Sequence, residues 1–432
     1  MRKTRLFALA LAVVLLTGCG NNNFGFSSSS RNTAPAPAGP NVQMDWSVLE
    51  SKEMPLPAVG SRWYPEYMDH LIPRSNYGTL VPFAGSLVYS VIPGDESAFS
   101  TPLYGLMTID GKVVMDANCD TICPVIYSEQ DEVAHSSVTC SLPVFKLQKG
   151  DPDYGDPSNG AAVALAAQDG SWCTDFIFWG CLGFPGGVAA GNGAYFSLLD
   201  AQTGAVTKSW TWAELGIDNP SRFPWMTGDA YSSAQWTGEQ FFLGCWGNNE
   251  DNARFLNPKT GMVTTKPSQE WYDSCDQRFQ DGTWWESSVD KAGTVTLMFG
   301  DQTYTFQSPL SEDTSPYVTG GDRVVFDPWS DSPSFAVTDL NGNVILPSQG
   351  GILTVLGGGE DEPLLFSTRP AETTNWLIYS RDGALLSTLP APEESWCNLS
   401  GPLVEVRNET TAAYYQPETG TCVLRVYLSL NH

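Results

Sequence analysis

The sequence predicts an all-β repeat fold, on three observations. Short runs rich in Val, Thr, Tyr, Phe and Trp are bounded by Gly, Asp, Asn and Pro, and long helical periodicity is nearly absent. One unit recurs, in which a β-run enters a Gly-containing tight turn and a second β-run leaves it. The recurrence fits a period of roughly 40–45 residues, as in four-stranded propeller blades. The expected architecture is a β-propeller-like body of seven or eight four-stranded blades, with an irregular pair of β-sandwiches as the alternative.

Residues 1–18 precede that body and read as a signal peptide. Arg2, Lys3 and Arg5 form a positive flank, and Leu6 to Leu16 is an unbroken apolar run. Such a run is shorter than the roughly 20 residues that span a bilayer, and it suits a cleaved export signal. Leu16-Thr17-Gly18-Cys19 follows. This tetrad resembles the lipobox of bacterial lipoproteins. The resemblance implies cleavage before Cys19, lipid on its thiol, and a chain anchored to the cell or outer membrane, facing away from the cytoplasm. A plain secretory signal with an incidental Cys19 is the other reading.

Residues 19–43 read as a tether. Gly20 to Pro40 holds a serine run and alternating Ala-Pro, with few large apolar side chains. Such a stretch buries too little surface to offset its ordering entropy. Residues 44–432 form the repeat domain, long enough for a large core. No later segment reaches the length of an apolar membrane span.

Within the repeat domain the hairpins come in order. Leu106 to Val114 (LMTIDGKVV), Tyr195 to Thr207, Arg254 to Thr264, Phe335 to Leu346, Trp376 to Leu386 and Tyr414 to Leu424 each centre on one glycine. These are Gly111, Gly204, Gly261, Gly342, Gly383 and Gly420, spaced by 93, 57, 81, 41 and 37 residues. Weaker turns at Asp169-Gly170 and near Gly300 fill the two longest gaps. Each glycine supplies the φ > 0 of a hairpin bend, and an Asp or Asn before it bonds the turn backbone. The 41 glycines and 30 prolines suit many such turns. The best helix candidate is short, Thr211 to Leu215.

Tyr104-Gly105-Leu106 leading through Asp110-Gly111 into Val113-Val114 resembles the WG-type repeat. Asn76-Tyr77-Gly78 and Val81-Pro82-Phe83 upstream are similar to what precedes it in surface lipoproteins of that kind. The match covers one unit, about Tyr77 to Val125; the other hairpins lack the aromatic-Gly step. The resemblance implies a repeat β-fold used for interactions, without an activity. Gln168-Asp169-Gly170-Ser171-Trp172 and Gln280-Asp281-Gly282-Thr283-Trp284 are similar to a shortened Asp-box of sialidase-like propellers, which implies blade turns with a packed Trp.

Composition narrows the function. The formal charge is −26. Nucleic acid requires clustered Lys and Arg, so it is excluded as a partner, and lying flat on anionic lipid is disfavoured. Of ten cysteines, nine remain beyond Cys19, an odd number. Outside the cytoplasm disulfides are permitted, and local pairs of Cys119 with Cys123 or Cys173 with Cys181 fit, though spacing does not fix connectivity. Cys119-x3-Cys123 lacks a second ligand pair or nearby histidine for zinc; only His70, His135 and His432 occur. Asp151 to Asp156 carries three carboxylates but lacks the Gly and Glu of an EF-hand loop, so it reads as a polar loop before a calcium site. Gly358 to Glu362 reads the same way.

Trp210-Thr211-Trp212, Trp284-Trp285 and Phe223-Pro224-Trp225 either pack between sheets or offer faces to a sugar ring. Asn398-Leu399-Ser400 and Asn408-Glu409-Thr410 read as turn polarity. The sequence holds no G-x-S-x-G, no H-E-x-x-H and no P-loop, and implies no cofactor or metal. Two functions follow. The preferred one is a lipid-anchored binding or scaffold protein for a glycan, peptide or protein. The alternative is an envelope carbohydrate-active enzyme with paired carboxylates in a propeller funnel. An enzyme is expected to show converging carboxylates with raised pKa values.

Overall fold

The computed structural model describes residues 62–63, 80–91, 98–131, 136–149, 162–217, 234–236, 240–243, 254–265, 286–299, 302–310, 314–327, 334–357, 364–371 and 373–428. Among them every named element is a strand, and all pairing between strands is antiparallel. Among the described residues no helix is long and apolar enough to cross a membrane.

The strands form a succession of small meanders. β1 (Arg62–Trp63) lies on the edge of the second sheet. Sheet 1 holds β2 (Leu80–Val91), β3 (Ala98–Thr108) and β4 (Val113–Cys119). Sheet 2 holds β5 (Thr121–Asp131), β6 (Ser136–Lys149) and β7 (Ala162–Ala167), and bridges from Val163 to Phe178 and Ala166 to Cys173 add a further segment beside β7. Sheet 3 runs β8 (Gly180–Phe184), β9 (Gly187–Gly191), β10 (Tyr195–Asp200) and β11 (Val206–Thr211). Sheet 4 runs β12 (Ala234–Trp236), β13 (Phe241–Leu243), β14 (Arg254–Leu256) and β15 (Val263–Thr264).

Sheet 5 runs β16 (Glu286–Val289), β17 (Thr294–Phe299) and β18 (Gln302–Gln307). Sheet 6 runs β19 (Ser315–Thr319), β20 (Arg323–Asp327), β21 (Ser334–Asp339), β22 (Val344–Leu356), β23 (Leu365–Pro370), β24 (Asn375–Ser380) and β25 (Leu385–Pro390). Sheet 7 runs β26 (Trp396–Ser400), β27 (Leu403–Arg407), β28 (Thr411–Tyr415) and β29 (Cys422–Tyr427).

Sheet 6 has seven strands because β22 serves two meanders. Its first half, Val344 to Gly350, pairs with β21, and its second half, Gly351 to Leu356, pairs with β23. Gly351 sits at the handover with φ 133°, where a side chain would overlap the carbonyl of Arg369.

Apolar side chains are buried on both faces of many strands. All five residues of β9 and of β27 are buried, which requires a neighbour on each side of the sheet. Leu80 and Leu106 of sheet 1 share a cluster with Phe145 and Leu147 of sheet 2. Val125 and Leu142 of sheet 2 share one with Val188 and Leu199 of sheet 3. Phe196 of sheet 3 packs edge-on against Phe241 of sheet 4, with ring centroids 5.5 Å apart.

Leu297 of sheet 5 meets Phe326 of sheet 6, and Trp376 of sheet 6 meets Val404 of sheet 7. Finally Leu403 and Tyr414 of sheet 7 pack with Val81 and Met107 of sheet 1. The last sheet therefore returns to the first. Each fully buried large side chain in these layers contributes roughly 1.5–3 kcal/mol relative to exposure.

All six predicted turn glycines have positive φ, between 67° and 84°. They do more than turn. Gly204 would place a Cβ 2.6 Å from the indole of Trp172 in sheet 2, and Gly342 one 2.7 Å from Phe306 in sheet 5. Gly111 likewise leans onto Val423 of sheet 7, and Gly383 onto Ile345 in the first half of β22. Gly170 also bends as expected, with φ 78°. The turn expected near Gly300 lies outside the described residues; β17 and β18 on either side pair with Phe299 opposite Gln302.

At Gly204, Gly261 and Gly342 the capping residue is the expected Asp or Asn, three or four positions before the glycine; at Gly111 and Gly383 a hydroxyl takes that place, and at Gly420 it is Thr419, directly before the glycine. Thr108 Oγ1 accepts from Lys112 N–H at 3.1 Å, Asp339 Oδ1 accepts from Asn341 and Asn343 N–H at 2.8 and 2.9 Å, and Asp200 Oδ1 accepts from Gln202 and Thr203 N–H at 3.1 and 2.8 Å. From this position an oxygen reaches the N–H groups that the bend leaves open. Asp382, directly before Gly383, instead reaches Arg323 at 2.7 Å.

Thr211 to Leu215 is a single turn rather than a helix. Leu215 N–H reaches Thr211 O at 3.2 Å, the Glu214 carboxylate accepts from Thr211 N–H at 2.7 Å, and Gly216 ends the turn at φ 68°. So few residues do not repay the cost of helix nucleation. Asn408 is a turn residue, accepting from Thr410 and Thr411 N–H at 3.0 and 2.9 Å, whereas Asn398 lies inside β26 opposite Glu405.

Candidate functional site

Sheets 7 and 1 meet over a cluster of buried ionisable groups. Glu405 and Arg407 stand two apart on β27, so both project from one face. Glu405 Oε1 lies 3.6 Å from Arg407 Nη1 and accepts a hydrogen bond from Tyr414 Oη at 2.8 Å. The Tyr414 oxygen accepts in turn from Ala84 N–H at 2.6 Å, across the seam. Arg407 donates to Tyr104 Oη at 3.2 Å, and its guanidinium lies 5.1 Å from the Trp396 ring centroid. Ser400 Oγ donates to Pro82 O at 2.6 Å and adds a second link between the two sheets.

Electrostatics make this cluster a clasp. Burial works against the charged Arg407 guanidinium, but the Glu405 carboxylate and Tyr104 outweigh it, so Arg407 titrates above the ordinary arginine value. Burial, together with the adjacent Glu405, pushes the Tyr414 phenol well above its ordinary value. Arg407 is therefore charged and the Tyr414 phenol neutral at physiological pH. Removing one partner of such a set strands a buried charge.

Among the described residues the carboxylates whose titration is shifted all go down. Asp110 does so through its hydrogen bond from Thr108, Asp200 through Thr203, Asp290 through Thr294 N–H, and Glu214 through Thr211 N–H. At Asp339 burial raises the value, and the bonds from Asn343 and Asn341 outweigh it. Each of these is a turn acceptor. Among the described residues no group of three or more His, Cys, Asp or Glu is placed to hold a metal ion.

Several predicted positions are placed. Trp210 and Trp212 both pack against the Phe196 ring, at centroid distances of 6.4 and 6.2 Å, and Trp212 Nε1 donates to Asn192 O at 2.8 Å. Trp172 packs against the cluster between sheets 2 and 3, and Ser171 N–H bonds Asp169 Oδ1 at 2.8 Å within the turn at Gly170.

The expected local disulfides are not formed. Cys119, Cys123, Cys173 and Cys181 are all free thiols, as are Cys397 and Cys422. Cys173 packs against the cluster facing sheet 1, whereas Cys181 belongs to the one between sheets 2 and 3, so these two neighbours in sequence are separated by a sheet.

Other positions lie outside the described residues: Cys19 with its signal and tether, Asn76 to Gly78, the loops Asp151 to Asp156 and Gly358 to Glu362, the second box Gln280 to Trp284, Trp285, Phe223 to Trp225, Cys245, Cys275 and the three histidines. The seam cluster went unread in the sequence. Its signals were the Glu405-x-Arg407 spacing and the Tyr414-Tyr415 pair in neighbouring β-runs.

No protein-family model matches the chain, and no curated protein does. Solved structures are similar only distantly. A eukaryotic initiation factor matches with 8% identity and a TM-score of 0.32, covering 81% of this chain and 96% of its own. The dihydro-heme d1 dehydrogenase NirN matches with 10% identity and a TM-score of 0.28, covering 88% and 80%. Apo AztD from Citrobacter koseri matches with 9% identity and a TM-score of 0.28, covering 81% and 95%. Likeness at this level carries no argument about function.

Proposed function

We propose that this chain is a lipid-anchored extracytoplasmic binding or scaffold protein. Its body is a β-propeller-like ring, and its anchor is lipid on Cys19. Counting β22 in both of its meanders gives eight units. The observation that carries the ring is the seam: the Ala84–Tyr414 and Ser400–Pro82 hydrogen bonds join the first described sheet to the last. The WG-type hairpin Tyr104 to Val114 spans β3 and β4 and supports a repeat used for contacts. The lipobox supports the anchor. A rigid ring on a flexible leash suits presentation of loops to a glycan, peptide or protein partner.

Among the described residues the carboxylates whose titration is shifted are turn acceptors, so no observation there favours the paired carboxylates that a glycosidase needs. The test is expression of the full chain and of Cys19→Ser in a bacterium fed radiolabelled palmitate. Label and membrane association in the parent, both lost in Cys19→Ser, are expected. Equal membrane association without label would overturn the anchor. A glycan array probed with the soluble body then tests the partner class.

A further inference from the structure

β5 of sheet 2 and β8 of sheet 3 run side by side: a Cβ on Gly183 would lie 2.6 Å from the Ile126 carbonyl oxygen. Along β5, Ile122 turns toward sheet 1, where it joins Leu106 and Phe145. Strand alternation then turns Cys123 the other way, toward sheet 3. The register shifts just beyond it, between Pro124 and Ile126, and Val125 and Tyr127 continue on the sheet 3 side. Cys181 of β8 is buried in that same layer with Val125 and Tyr127.

Cys119 and Cys173 occupy the layer on the opposite side, in the cluster of Phe145 and Phe176. Sheet 2 therefore separates Cys123 from Cys119 and Cys181 from Cys173. Cys181 also lies within electrostatic reach of Cys123: burial dominates the rise at Cys181, and Cys123 adds to it.

We propose that Cys123 and Cys181 form a disulfide that ties sheet 2 to sheet 3. Cys123 is half-buried and reacts first; Cys181 is buried and completes the bond. With a low-molecular-weight disulfide as oxidant, the Cys123 thiolate attacks one sulfur and releases one thiol. The Cys181 sulfur then displaces the second thiol as the Sγ–Sγ bond forms. Two protons and two electrons leave the cysteine pair, and the oxidant is reduced to two thiols. The bond closes a long loop and restricts the unfolded chain.

The test uses the full chain, fully reduced and then incubated with oxidised glutathione. Remaining thiols are alkylated, the chain is digested, and linked peptides are mapped by mass spectrometry. A peptide pair joining Cys123 to Cys181 is expected, with a melting midpoint about 5 °C above the reduced protein. Cys123→Ser should fold and show no such rise. Linkage of Cys123 to Cys119 or any other cysteine would overturn the proposal. So would a persistent glutathione adduct on Cys123, or both thiols recovered alkylated. The mapping on the parent chain decides the matter even if the variant fails to fold.

Discussion

The phenol of Tyr414 accepts a hydrogen bond from the backbone N–H of Ala84, 330 residues earlier in the chain, at 2.6 Å. The same hydroxyl donates to Glu405. Tyr414→Phe keeps the ring and removes both bonds, leaving a buried N–H and a buried carboxylate oxygen short of a partner. It should destabilise the fold by about 2–3 kcal/mol in urea unfolding. A loss under about 0.5 kcal/mol would mean that the seam is not closed by this group.

The turn glycines allow two effects to be separated. Gly204 and Gly186 both have positive φ, but only Gly204 faces a neighbour, Trp172; nothing lies within 4 Å of Gly186. Gly186→Ala should cost about 1 kcal/mol, from backbone strain alone. Gly204→Ala adds a clash with a packed indole and should cost about 1–3 kcal/mol more. Equal losses in thermal melts would show that φ alone selects these glycines.

Asp339 gives a pH signature. Its folded-state pKa is lowered, because the Asn343 and Asn341 bonds outweigh burial. The unfolded chain therefore binds more protons in the acid range. The stabilisation is present above the unfolded carboxyl value, about 3.9, and is lost as pH falls through the lower folded value. Asp339→Asn keeps an acceptor oxygen but not the charge. Its deficit relative to the parent should be constant near neutral pH and shrink below about pH 4. A deficit unchanged down to pH 2 would exclude the charge as its source.

Thiol reactivity should follow burial in the reduced protein. Desolvation pushes Cys119, Cys173, Cys181 and Cys397 each up to about 12, whereas Cys422 is exposed. A thiol reagent at pH 8 should modify Cys422 within minutes and spare Cys397 until the chain is unfolded. Prompt labelling of Cys397 in the folded protein would contradict its place under Leu399 and Val406.

Hairpins were legible where one residue decides the backbone. Each of the six turn glycines bends as expected, because the positive φ is a property of glycine itself. The capping residue was misread at Gly111 and Gly383, because Asp110 and Asp382 look like caps in the sequence, yet the open N–H groups face Thr108 and Ser380. Thr211 to Leu215 carries helical residue types, but a strand runs into it and Gly216 closes it. The cysteine pairs were misread because sequence distance does not show which side of a strand a thiol occupies. The seam was not legible at all: no local pattern joins Tyr414 to Ala84, since their meeting depends on every sheet between them.

That dependence sets an order of events. As the chain is synthesised, the apolar face of Val81, Phe83 and Met107 is made early, and its covering partners Leu403, Ala412 and Tyr414 are made late. The early face must wait uncovered for most of the length of the protein. Contacts this distant in sequence slow folding and leave intermediates open to aggregation. A holdase that shields apolar surface should therefore raise the yield of the full chain, acting on the sheet that emerges first.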